Sequence, residues 1–117
     1  MNFVAVFFAG CFFCNCIPHL AHGLAGAPFP SPFAKPSGVG DSSPLVNFLW
    51  GLFNVLVGAA LLSRQPVPVG FNPLFLTLIA GALALGAPLS IHFGKVRQRR
   101  LATRIPGPNH RPDRSGP

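Results

Sequence analysis

The chain is nearly without acids. Its 117 residues include only Asp41 and Asp113, against nine Lys and Arg, which gives a formal net charge of +7. Charged residues make up 9% of the sequence, where a soluble domain carries about 25%. The two carboxylates lie far apart in the chain, so a soluble enzyme working through paired carboxylates is nearly excluded. Lys and Arg are missing from the first 34 residues, so a signal peptide would lack its positive leading region. The basic C-terminal stretch has no aromatic residue to stack on bases, and nucleic acid is not an expected partner.

What the chain does have is apolar length. Half of it is hydrophobic, and fourteen Pro and thirteen Gly are too many for a compact helical bundle in water. Residues 3–17, 45–62 and 74–93 carry no charge. A bilayer core of about 30 Å asks for about 20 apolar residues as helix. The third run meets that, the second is opened by Pro44, and the first reaches it if the helix continues past Pro18 to His22. Ser42-Ser43-Pro44 and Asn72-Pro73 read as helix starts, a polar cap followed by Pro at the first helical position. The expected fold is all-α. Three transmembrane helices over about 3–22, 44–62 and 73–93 form a domain spanning residues 1–93. A Pro-rich linker joins the first two helices, and residues 94–117 form a disordered, basic cytoplasmic tail.

Orientation follows from the basic residues. Lys95, Arg97, Arg99 and Arg100 crowd the end of the third run, while the second turn carries only Arg64. The positive-inside rule then puts the tail and the linker in the cytoplasm and the N-terminus outside. The tail cluster also suits anionic lipid, which with the bilayer itself is an expected partner.

A spacing of +4, +3, +4 keeps residues on one helical face. Asn47, Gly51, Asn54 and Gly58 follow it in the second run. Thr77, Gly81, Ala84 and Pro88 follow it in the third, and Cys11, Asn15, Pro18 and His22 in the first. Small residues permit close approach of membrane helices, and amides bond across the gap. These faces are expected to pack within the chain, against other membrane proteins or against a second copy. Lining of a polar path by Asn15, Asn47 and Asn54 is the alternative. Cys14, Cys16, His19 and His22 form a third candidate group, for a metal or haem. Their spacing matches no defined zinc or haem pattern, and packing is the expectation, with no cofactor. In the linker, Phe29 and Phe33 suggest a segment lying at the interface or tucked against the bundle, with Trp50 beneath it.

The pattern Pro18-His19, Pro28-Phe29-Pro30-Ser31-Pro32-Phe33-Ala34-Lys35-Pro36, Ser42-Ser43-Pro44, Asn47, Trp50-Gly51 and Asn54 resembles a set of short, uncharacterised bacterial multi-pass membrane proteins. It covers about a third of the chain. The resemblance implies a protein of the bacterial cytoplasmic membrane and supplies no activity. The reading is a non-catalytic accessory or interaction subunit. A small oligomeric transporter or channel and a metal- or haem-binding membrane protein are the alternatives.

The topology is directly testable. A reporter active only outside the cytoplasm should work in the turn at residues 63–70 and fail after Pro117. Neutralising Lys95, Arg97, Arg99 and Arg100 together should scramble the orientation.

Overall fold

The computed structural model describes residues 2–104. The chain forms a three-helix membrane bundle: α1 (Phe3–Leu24), α2 (Pro44–Leu62) and α3 (Pro73–Arg104). All three are long and apolar enough to cross a bilayer. The starts are capped by side chains. Asn2 Oδ1 accepts from the Ala5 amide at 3.1 Å, Ser43 Oγ from the Val46 amide at 3.2 Å, and Asn72 Oδ1 from the Phe75 amide at 2.9 Å. Each cap satisfies an amide that has no partner inside the helix. α1 runs through Pro18 to Leu24, which gives the first run its full spanning length.

α1 is the central helix. It packs on α2 along one side and on α3 along the other, while contacts between α2 and α3 are sparse. The α1–α2 seam is antiparallel: Gly23 meets Phe48, Leu20 meets Gly51, and Phe13 meets Gly58. The α1–α3 seam is parallel: Gly10 meets Leu78 and Ala82, and Cys14 meets Gly86. The tightest crossing is at Gly10 and Gly81. A Cβ on Gly10 would overlap the Leu78 carbonyl, and one on Gly81 would overlap the Phe7 carbonyl. Only glycine lets these backbones come so close.

One expectation needs correction. The third helix does not end at residue 93. It continues as α3 to Arg104, so residues 94–104 are helical. Lys, Arg and Gln are good helix formers, and this last stretch is pinned by a buried Val96, 5% exposed, and by Arg100. At about 1.5 Å per residue the 32-residue α3 is ~48 Å long, well beyond a ~30 Å bilayer core. The expected disorder of residues 105–117 lies outside the described residues. The side of α3 turned to α1 coincides with the Thr77, Gly81, Ala84 and Pro88 face at Gly81 alone. Gly81 is buried, but Ala84 and Pro88 are exposed, and the Thr77 hydroxyl donates to the Pro73 carbonyl of its own helix at 2.7 Å. The side facing α1 instead includes Leu74, Leu78, Gly81 and Ala82.

The linker is compact rather than extended. Its ends pair as a minimal antiparallel ladder, β1 (Phe29–Pro30) with β2 (Asp41–Ser42). Ser31 Oγ and Ser42 Oγ lie 2.5 Å apart inside the loop, both buried. The loop covers the C-terminal end of α1 and reaches α3, where His92 Nε2 meets the Gly38 carbonyl at 2.7 Å. Arg100 donates to Asp41 Oδ1 at 2.8 Å and to the Val39 carbonyl. The cap thus joins α2 and α3, which scarcely touch each other directly.

Gly10→Ala should weaken the α1–α3 seam, because even one methyl group has no room there. Overpacking of this kind costs about 1–3 kcal/mol. Thermal melting in mild detergent checks it against Leu52→Ala, whose side chain is on the outer face of α2. A Gly10→Ala protein that melts with the parent would refute the close crossing.

Candidate functional site

The polar groups of the bundle gather where α1, α2 and the linker meet. Asn47 is fully buried on the first turn of α2. Its Nδ2 donates to the carbonyls of Phe29 at 2.9 Å, Ser42 at 3.1 Å and Ser43 at 3.1 Å. Three carbonyls around Nδ2 fix the amide orientation, so Oδ1 is the acceptor turned to α1. His19 Nδ1 lies 2.7 Å from that oxygen. An amide oxygen can only accept, so His19 carries its proton on Nδ1. His19 is itself 2% exposed. One side chain therefore ties together α1, α2 and both strands of the linker.

An aromatic cluster encloses this node. Phe29 stacks on His22 at 4.2 Å, tilts onto Phe93 at 4.8 Å and meets the edge of His19 at 5.4 Å. Trp50 lies under the linker as expected from its depth, edge-on to Phe33 at 5.2 Å and stacked on Phe53 at 5.4 Å. Trp50 Nε1 is buried and makes no hydrogen bond to the protein. Asn15, His19, Ser31, Trp50 and His92 border a small cavity of about 160 Å³ between the cap and the helices.

One turn pair further into the membrane, Asn15 Nδ2 donates to Asn54 Oδ1 at 3.0 Å, and Asn54 Nδ2 donates to the Trp50 carbonyl at 2.7 Å. Asn47, Gly51, Asn54 and Gly58 are the buried residues of α2. The Leu20 side chain fills the space at Gly51, and the Phe13 ring fills the space at Gly58. This face is therefore occupied by α1 of the same chain. Cys11 Sγ donates to the Gly81 carbonyl at 3.3 Å across the other seam.

The Cys/His group is dispersed. Cys14 faces Gly86 on α3, and Cys16 Sγ donates to the Phe13 carbonyl at 2.9 Å. His19 bonds Asn47, and His22 Nδ1 lies 2.8 Å from the Pro18 carbonyl. A helix turns about 100° per residue, which puts Cys14 and Cys16 ~200° apart. Among the described residues, no three His, Cys, Asp or Glu side chains come together to hold a metal. The three cysteines are free thiols. Lys95, Arg97 and Arg99 are exposed on α3, while Arg100 is turned to the linker.

Several residues escaped sequence reasoning. Gly10 and Gly23 sit at the closest helix contacts, and Asp41 and His92 fasten the cap. The adjacent small pair Ala9-Gly10 in an otherwise bulky run was a signal for the first. Nothing local marked the others, because the partners of Gly23, His92 and Asp41 are 25, 54 and 59 positions away.

No family model matches the chain, and neither curated proteins nor solved structures give a match.

The Asn15–Asn54 pair gives a sharp test. Asn54→Leu alone should destabilise by about 1–3 kcal/mol, because Asn15 loses its acceptor away from water. Adding Asn15→Leu should recover most of that loss, since two apolar groups leave nothing unpaired. Reversible unfolding in mixed micelles measures both. Additive losses in the double variant would show that the amides are not coupled.

Proposed function

We propose that the chain is a non-catalytic multi-pass membrane protein that acts as an accessory or interaction subunit in the bacterial cytoplasmic membrane. Its N-terminus lies outside, and the linker cap and the end of α3 lie in the cytoplasm. The observation that carries the reading is the inward use of the polar groups in the spans. Asn15 and Asn54 bond each other across one seam, Asn47 bonds His19 and the cap, and Cys11 bonds Gly81 across the other seam. A transport path would turn such groups toward a lumen. Here they hold three helices and a loop in one arrangement, which suits a rigid unit presented to something else.

The surface for a partner is then not the small/Asn face of α2, which α1 fills. It falls to the outside of α2 and the cap. There Phe33, Val46, Leu49 and Phe53 form an exposed apolar patch beside Trp50. The orientation is supported by the basic residues of α3, which stand at the same end as the linker.

A photo-crosslinker at Phe33 or Leu49 should yield a discrete adduct with another membrane protein, and one at Ile79 on α3 should not. Purified protein in liposomes should give no solute flux above empty liposomes. Flux that disappears with Asn54→Leu would favour the transporter reading and defeat this one.

A further inference from the structure

The parallel seam between α1 and α3 changes character along its length. In the middle it is an apolar groove of about 600 Å³, walled by Ile17 and Pro18 of α1 and by Leu83, Ala87 and Phe93 of α3. At its end is a second cavity of about 420 Å³, bordered by His22, Phe29, Asp41, Phe93, Arg97 and Arg100. Phe93 borders both, so the two spaces adjoin at its ring. Helical spacing agrees. Leu83, Ala87, Ser90, Gly94 and Arg97 recur at +4, +3, +4, +3 and share one face of α3. Pro18 and His22 stand one turn apart on α1.

The charge at the mouth is selective. Asp41 is the only acid among the described residues, and it is paired with Arg100 at 2.8 Å. That pair is neutral overall. The exposed Arg97 guanidinium has no carboxylate partner among the described residues. It stands four residues, about 6 Å along the helix, beyond Phe93, where the apolar run ends. With the bilayer core ending where the apolar run does, Arg97 falls at headgroup level, and a guanidinium fork matches a phosphate in geometry and charge.

We propose that this seam is a site for one anionic glycerophospholipid. An acyl chain lies in the groove against Leu83, Ala87 and Phe93, and the phosphate sits at the mouth on Arg97, with Arg100 beside it. An amphiphile fits because the site is itself amphiphilic along the membrane normal: apolar in the core, cationic at the headgroup level. Basic pockets between membrane helices recognise lipid headgroups by the same physics. The inference is independent of the accessory role.

The test is native mass spectrometry of the full chain in mild detergent, titrated with phosphatidylglycerol or with phosphatidylcholine of the same chains. One phosphatidylglycerol should bind in preference. Arg97→Gln should weaken it about tenfold. Arg99→Gln, with the same charge change at an exposed position outside the mouth, should have little effect. Ala87→Phe, which fills the groove, should also weaken lipid binding. Millimolar inorganic phosphate should not displace the lipid. Several outcomes overturn the proposal. Equal effects of Arg97→Gln and Arg99→Gln would mean diffuse attraction to a basic surface. Equal binding of the two lipids would remove the role of charge. Full displacement by inorganic phosphate would make the mouth a phosphate site only. A lipid-free dimer that Ala87→Phe dissociates would assign the groove to a second copy.

Discussion

The hydrogen bonds of Asn47 are the constraint on which the rest of the structure depends. A buried amide in an apolar bundle must be paired internally, because no water is at hand to replace the partner. Asn47 meets that demand by spending its donors on the linker and its acceptor on His19 of α1. The linker is therefore held at the mouth of the bundle rather than left to extend. Once it is held there, Gly38, Val39 and Asp41 come within reach of His92 and Arg100 on α3. The cap then joins the two outer helices, which have little contact of their own.

The two seams of α1 are built differently. Toward α2 the gaps left by Gly51 and Gly58 are filled by Leu20 and Phe13, and an amide pair crosses between them. Toward α3 the backbones themselves close up at Gly10 and Gly81, and a thiol meets a carbonyl. Lipid offers no hydrophobic drive for helices to associate, so close packing and a few polar bonds carry the assembly. Farther along, the α1–α3 seam opens into the apolar groove and its basic mouth.

Much of this could be read from the residues. The three uncharged runs and the caps at Ser43 and Asn72 locate α2 and the start of α3. The spacing of Asn47, Gly51, Asn54 and Gly58 marks the side of α2 that must avoid lipid, since unpaired amides are costly there. Of the corresponding face of α3, Gly81 packs on α1, while Thr77 satisfies its hydroxyl on its own helix. A threonine so satisfied carries no information about direction. The Cys/His group drew attention by composition, but helical rotation scatters it among different neighbours. The end of α3 was misplaced because a basic, Gly-containing stretch has no apolar reason to be ordered until a carboxylate and a carbonyl are brought to Arg100.

By itself, the sequence determined that this chain lives in a bilayer, that three helices are long and apolar enough to cross it, and where α2 and α3 start. Those properties depend on apolar length, charge and neighbours within a turn. Only the tertiary structure decided that α1 is central, that the amide face of α2 is used up within the chain, and that the linker fastens onto α3. Those outcomes rest on partners tens of residues apart, such as His19 with Asn47 and Asp41 with Arg100. A hydrogen bond of a few ångströms is fixed by where whole helices cross, and no local pattern records that.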